Sequence, residues 1–487
     1  MERQVTEKNE IKTTIANKPK TLSKAKKLFN KNYLLLWQGQ FVSRLGTQVY
    51  SIVIALWLKE MAEANAATSS ASGSIVGSFF MLSAIPMVVL SAFGGAVADR
   101  FPRKKIILLG DLFSGTIIIG LSVLMFTLPA GNYWAIVAVF IVGMLLSSIG
   151  SFFGPAISAS VPDLVPAKKL STANSMGQLS MKISTLFGQG VGPLLMSVLG
   201  VPLLVLINGI TYWVSAVSES FITIPQMLPE KVKGVSEYIK AFKGDLKEGI
   251  SYIWQNSGLK KMLLVSVFLN FFTMPIIILL MFYVIDFLGV PKQWYGFLLS
   301  FYGIGAFIGF TSAGLVKLKG RGRTRTLIAF MLAEPTGYVL MAYMQTPIQA
   351  GFLFFIGGIF NGFVMVTIMT ILQLTTPSNI RGRVFGSLTT ISASIAPLGM
   401  GAGGFLYDIS GHNIALIYMS CGGIMIFLVT LISLSKDFRR FIAFELEEED
   451  ETIGFQYKIR YLDKKEMIKD QKQVYLEHQL EKARSEL

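Results

Sequence analysis

Residues Met262 to Ile285 run for 24 positions without one charged side chain, and blocks of this kind recur through most of the chain. A helix crossing a bilayer needs about 20 apolar residues. Lipid offers the backbone no hydrogen-bond partner, so such blocks fold as helices or as strands of a closed barrel. Barrel strands would alternate with period two. These blocks instead run mostly apolar through 20 or more positions, which selects helices. Charged residues make up 15% of the chain, against about 25% in a typical soluble domain.

Twelve spans follow, at 34–58, 74–98, 106–128, 134–160, 173–199, 202–224, 262–288, 294–316, 326–346, 350–374, 385–407 and 413–435. They divide the chain into a tail (1–31), a six-helix bundle (32–224), a Lys-rich connector (225–261), a second six-helix bundle (262–435) and a charged, helix-prone tail (436–487) with an acidic run from Glu447 to Glu451. The predicted fold is all-α and membrane-embedded. The first 30 residues are polar and Lys-rich and lack the apolar core of a cleavable signal peptide.

The net charge of +15 would suggest nucleic acid in a soluble protein, but here it reports orientation. With the N-terminus inside, 40 of the 44 Lys and Arg residues fall on the inner side. Positive charge concentrates in cytoplasmic loops, so both termini are expected in the cytosol of a cell-membrane protein. Lys59 and Lys292 alone are expected outside, and Asp286 and Asp408 are expected to be solvated near the outer ends. The single cysteine, Cys421, can form no internal disulfide, and with only two histidines no metal site or cofactor is expected.

The halves echo each other. Gly95 and Gly314 each precede a basic loop, and Gly177-Gln178-Leu179-Ser180 is matched by Gly386-Ser387-Leu388-Thr389 at an offset of 209 residues. A six-helix repeat is the functional reading, since repeated halves in transporters enclose a midplane substrate site. Chance similarity in apolar sequence is the alternative.

Gly94-Gly95-Ala96-Val97-Ala98-Asp99-Arg100-Phe101-Pro102-Arg103-Lys104-Lys105 resembles the loop signature of the major facilitator superfamily, with Pro102 where that family usually has Gly. Phe153-Gly154-Pro155-Ala156, Pro162-Asp163-Leu164-Val165-Pro166 and Arg381-Gly382-Arg383-Val384-Phe385 are similar to the drug-exporter branch of macrolide-efflux and enterobactin-exporter-type permeases. Gly188, Gly192 and Pro193 resemble part of its antiporter motif, without the trailing glycine pair; close packing with a proline kink explains them equally. The resemblance covers roughly residues 28–436 and implies the two-bundle major facilitator fold. It implies that Gly95, Asp99, Arg100, Arg103 and Arg383 form a cytosolic latch, with Asp99 at the N-terminus of span 11, where the helix dipole favours a carboxylate. The alternative is a solvated, positively charged loop.

Polar groups inside a span need a reason, because a central charge costs about 2.5–3.5 kcal/mol on insertion scales. Gln40, Arg44, Gln48 and Ser51 recur at helical spacing and form one stripe on span 1. That stripe faces either a cavity, where Arg44 would grip an acidic group, or a polar neighbour. Asn270, Asn361 and Gln373 are further cavity candidates or interhelical links. Lys182, Glu219 and Glu334 are candidates for coupling, as ion partners or proton carriers, while Asp111 is expected to pair with the basic loop.

The expected function is export of a small amphiphilic molecule by alternating access, coupled to protons, with membrane lipids as surroundings, no nucleic-acid partner and a monomeric state. Without a mid-span carboxylate in spans 1, 4, 7 or 10, the cavity favours neutral, zwitterionic or anionic molecules. A lipid or glycolipid flippase and an exporter of an anionic metabolite such as a siderophore fit the same fold; a membrane sensor or scaffold is the reading from another class. No nucleotide-binding loop, paired carboxylates or Ser/His set points to an enzyme.

Overall fold

The computed structural model describes residues 28–129, 132–226, 235–316, 318, 320–377, 380–443, 445–447 and 458–460. The first tail, Lys231 and Lys233 of the connector, and most of the acidic run lie outside the described residues.

Each expected span is one helix: α1 (Lys31–Ala64), α2 (Ser72–Arg100), α3 (Arg103–Thr127), α4 (Tyr133–Leu164), α5 (Leu170–Leu199) and α6 (Val201–Ser220), then, after the connector helix α7 (Val235–Gln255), α8 (Ser257–Ile278), α9 (Gln293–Leu315), α10 (Gly320–Met341), α11 (Pro347–Thr375), α12 (Arg381–Ile409) and α13 (Ile414–Ser433). Ten of these spans are long and apolar enough to cross a membrane, α8 being extended by a π-helical turn to Phe287. The exceptions are α5, which carries Asn174, Gln178, Lys182 and Gln189, and α10, which opens on Arg321, Arg323 and Arg325. Asn30, Asn132, Asn256, Thr346 and Asn413 cap the starts of α1, α4, α8, α11 and α13 by accepting from a backbone N–H.

Three expectations change. α1 continues to Ala64, so Lys59 is not an outer-loop residue; it is 1% exposed and pairs with Glu63 at 2.7 Å. Asp408 is not solvated: it accepts from the Gly73 and Ser74 N–H groups at 3.0 and 2.6 Å and so caps α2, where the helix dipole rewards a carboxylate. The second tail is not simply helix-prone. A short helix α14 (Lys436–Ile442) is followed by an antiparallel ribbon, β1 (Glu445–Glu447) with β2 (Lys458–Arg460).

The chain divides into two compact units. Unit 1 holds Met1–Asn65 and Leu82–Lys240; unit 2 holds Ala66–Met81 and Ala241–Leu487. In unit 1, α1 packs on α5 and α6, and α3 on α4 and α6. In unit 2, α8 packs on α12 and α13, and α10 on α11 and α13. These pairings map α1, α3, α4, α5 and α6 onto α8, α10, α11, α12 and α13, which gives the sequence echo a physical meaning.

The densest meeting is between α9 and α11. A Cβ added to Gly305 would fall on Phe355 O, one on Gly309 on Ile359 O, one on Gly358 on Tyr302 O and one on Gly362 on Ala306 O. Two Gly-x-x-x-Gly faces therefore press backbone to backbone, the close approach that small residues permit in lipid. In unit 2 an apolar cluster joins Met262, Leu327 and Val384 to Ile253 of α7 and to Phe438 and Phe441 of α14. Burying Phe438 and Phe441 contributes about 1.5–3 kcal/mol each, which fastens α14 to the bundle. Lys261 and Ser257 bond to Asp437 at 2.5 and 2.8 Å and hold its carboxyl below the usual carboxylate range. That contribution is present at neutral pH and is lost on acidification through the lowered value.

Candidate functional site

Three helices of unit 1 converge on a buried pair of acids. Asp111 comes from α3 and is 0% exposed; Glu219 comes from α6 and is 1% exposed. The carboxyl groups interact with each other and with Ser215. Gln40 of α1 donates to Glu219 Oε1 at 2.8 Å. Both Asp111 oxygens, Glu219 Oε2 and Ser215 Oγ have no well-formed hydrogen bond. Among the described residues no Lys or Arg pairs with either acid. The expectation that Asp111 pairs with the basic loop is therefore wrong: it lies two turns inside α3 and faces α6. Small residues allow the convergence, since a Cβ on Gly39 would sit 3.0 Å from Ser215 Oγ. Nearby, Thr47 Oγ1 lies 2.9 Å from the Tyr212 hydroxyl, which interacts with Asp111 in turn.

The polar stripe of α1 splits between two neighbours. Gln40 and Thr47 meet α6. Arg44 Nη1 donates to Gly177 O of α5 at 3.5 Å. Gln48 packs on Gly188, where an added Cβ would come within 2.5 Å of Gln48 Cβ. Gly188 is thus required by close approach, whereas Gly192 has ordinary room and Pro193 lies inside α5. Lys182 is exposed on α5.

In unit 2, Glu334 of α10 accepts from Tyr338 OH at 2.9 Å, from Tyr302 OH of α9 at 3.2 Å and from Asn361 Nδ2 of α11 at 3.1 and 3.2 Å. These donors are all neutral. Asn361 is thereby a member of the Glu334 cluster, Asn270 bonds back to Ser266 O of its own helix, and Gln373 is exposed on α11.

The basic loop is organised by Arg103, whose side chain is 16% exposed. It bonds to Asp163 Oδ2 at 2.6 Å, Ala159 O at 2.9 Å and Ala98 O at 3.2 Å, and its N–H donates to Gln226 Oε1 at 2.8 Å. Its pairing with Asp99 is longer, 3.4 Å, and Asp99 is 64% exposed. Gly95 and Arg100 lie in the last turns of α2. Arg383, at the start of α12, forks onto Asp245 and Glu248 of α7 at 2.9 and 2.5 Å. A Cβ on Gly249 would fall on Ser387 Oγ, so the connector helix lies tight against α12.

These interactions differ in weight. Asp99→Asn removes a long, exposed pair worth about 0–1 kcal/mol and is expected to leave insertion and melting temperature unchanged while slowing transport. Arg103→Ala removes the charge-assisted hydrogen bonds to Asp163, Ala159 O and Ala98 O and is expected to cost about 1.5–3 kcal/mol, read as a drop in melting temperature. Wild-type flux in Asp99→Asn would remove Asp99 from any latch.

Twelve long helices, ten of them long and apolar enough to cross a membrane, define a multi-pass membrane protein. The chain belongs to the Major Facilitator Superfamily, whose family model matches residues 36–400. It is 27% identical to the uncharacterized MFS-type transporter YfiS of Bacillus subtilis, across 82% of this chain and 93% of that protein. It is 31% identical to the putative bacilysin exporter BacE of Bacillus amyloliquefaciens, across 72% and 81%. It is 26% identical to macrolide efflux protein A of Streptococcus pyogenes, across 50% and 56%. The crystal structure of the nucleoside transporter NupG has the same fold, with a TM-score of 0.60 at 13% identity, covering 82% of this chain and 98% of that one.

Proposed function

We propose that this protein is a proton-coupled exporter of a small amphiphilic molecule, working by alternating access in the cell membrane with both termini in the cytosol. Its relatives include proteins named as exporters of macrolides and of bacilysin, which supports the outward direction. The orientation rests on the positive-inside distribution of Lys and Arg.

The observation that carries proton coupling is the Asp111–Glu219 pair. Two adjacent carboxylates without a cation cannot both be charged in a buried site, so the pair holds a proton. Opening α3 from α6 toward water would let that proton leave, and closing would require one to return. Helix movement and proton occupancy are linked in this way without any metal or nucleotide. Glu334 is a weaker candidate, because three neutral donors already satisfy its carboxylate. The basic groups Arg44 of α1 and Lys182 of α5 favour neutral, zwitterionic or anionic substrates.

The test uses proteoliposomes containing a pH dye. Macrolides, small peptide antibiotics and matched anionic and cationic dyes are added in turn, and proton movement is recorded with substrate flux. Substrate-dependent proton movement opposite to substrate is the expected result. Flux without proton movement would reject the coupling, and strong preference for the cationic dye would reject the substrate class.

A further inference from the structure

A second site lies in unit 2. The start of α10, the end of α13 and α14 enclose a cleft of about 770 Å³. Its rim carries Arg321, Arg325, Lys436, Arg439 and Arg440, and no carboxylate is among its lining residues. The nearby acid, Asp437, is turned to Lys261 and Ser257. The floor is apolar, with Ile328, Ala329, Leu332 and Leu434.

This cleft does not end at its floor. Ala329 and Leu332 also line a second cleft of about 450 Å³ that runs along α10 and α11. On α10 its wall is Ala329, Leu332, Ala333, Thr336, Gly337 and Leu340, a single face at helical spacing. From Ala329 to Leu340 that face is roughly 16 Å long at the rise of an α-helix. Gly337 of α10 and Gly357 of α11 both line it, and an added Cβ at either meets nothing within 4 Å. The neighbouring Gly358 is locked against Tyr302 O, so the two glycines in the groove are not explained by helix packing. They leave the groove between α10 and α11 open.

We propose that this composite cleft binds an anionic glycerophospholipid from the membrane, its phosphate among Arg321, Arg325, Lys436 and Arg439 and one acyl chain along the α10–α11 groove. Position supports the pairing. The cations lie where the apolar surfaces of α10 and α13 give way to charged ones, which is the depth of lipid headgroups, and basic pockets between membrane helices hold anionic heads. Arginine forks match phosphate oxygens. A free phosphate would use the rim alone, and an acidic peptide segment would have no use for the groove. The site is independent of the proposed export reaction.

The test is retention of lipid on the purified full-length protein, read by native mass spectrometry with equal phosphatidylglycerol and phosphatidylcholine of the same acyl chains. Phosphatidylglycerol is expected to be retained several-fold over phosphatidylcholine and to resist inorganic phosphate. Arg321→Gln/Arg325→Gln/Arg439→Gln is expected to lower retention about tenfold or more. Gly357→Leu, and separately Gly337→Leu, should fill the groove and lower retention while the protein elutes as folded; Lys436→Gln/Arg439→Gln is the reserve should the triple variant not fold. Equal retention of the two lipids, or wild-type retention in the arginine or the glycine variants, overturns the proposal. Displacement by inorganic phosphate alone would make it a phosphate site. Retention that appears only after truncation behind Ala443 would assign the pocket to the protein's own acidic tail.

Discussion

Gly358→Val is expected to leave little folded protein, while Gly357→Ala, one residue away, is expected to be harmless. The contrast follows from which side of α11 each glycine faces. At Gly358 the new Cβ would fall on the carbonyl oxygen of Tyr302, with Ala306 N a further 2.9 Å contact. These are backbone atoms of a regular helix, which no rotamer change can move aside. Overpacking a core usually costs about 1–3 kcal/mol. Here α9 and α11 must separate along Gly305, Gly309, Gly358 and Gly362 together, so about 3 kcal/mol or more is expected. The same displacement would pull Tyr302 and Asn361 away from Glu334, since both are anchored on the separating helices. At Gly357 the Cβ meets open space, and Ala in place of Gly in a helix is worth about 0.5–1 kcal/mol in the stabilising direction. Thermal melting followed by size-exclusion chromatography of the detergent-extracted variants reads both. Equal stability of the two would mean that the α9–α11 contact is not as close as described.

Much of this architecture is legible in the sequence because lipid imposes a simple rule. Apolar blocks of sufficient length become helices, and basic residues orient them. The Glu334 candidate is legible as a lone acid in an apolar block, but its donor Tyr302 is not, since that residue looks like ordinary filler until α9 and α10 meet. Asp111 was misread for a related reason. Its distance along the chain from Arg103 suggests an interfacial partner, whereas burial depends on how α6 leans on α3. Alternation of odd and even spans does place the start of α3 and the end of α6 at one membrane face, and that signal could have brought Asp111 and Glu219 together. The stripe on α1 illustrates a limit of helical periodicity. Residues 40, 44, 48 and 51 share a face broad enough to touch two neighbours, so one stripe becomes two contacts. Gly305, Gly309, Gly358 and Gly362 form Gly-x-x-x-Gly patterns in the sequence, but only contact separates them from Gly357, which serves a groove instead.

Replacing the buried acids should separate transport from its driving force. Glu219→Gln preserves side-chain shape and leaves an oxygen for the Gln40 amide at its present 2.8 Å, while removing a titrating group. Asp111→Asn does the same across the pair. If the pair carries the coupled proton, each variant should lose export driven by a pH gradient by at least about tenfold, since intramembrane acids of this kind act as proton relays. Downhill exchange of substrate should persist, because no contact required for closing is removed. Melting temperature should hold or rise, as a buried acid without a cation is exchanged for a neutral amide. A purely structural pair predicts the reverse pattern, with lower stability and equal loss of driven and downhill flux. Glu334→Gln supplies the comparison. Its carboxylate accepts from Tyr302, Tyr338 and Asn361, and an amide with a single acceptor oxygen would leave donors unmatched at about 1–3 kcal/mol each. That variant should lose stability first and coupling only as a consequence. Retention of gradient-driven export in the Asp111→Asn/Glu219→Gln double variant, at wild-type rate, would exclude the pair as the proton site.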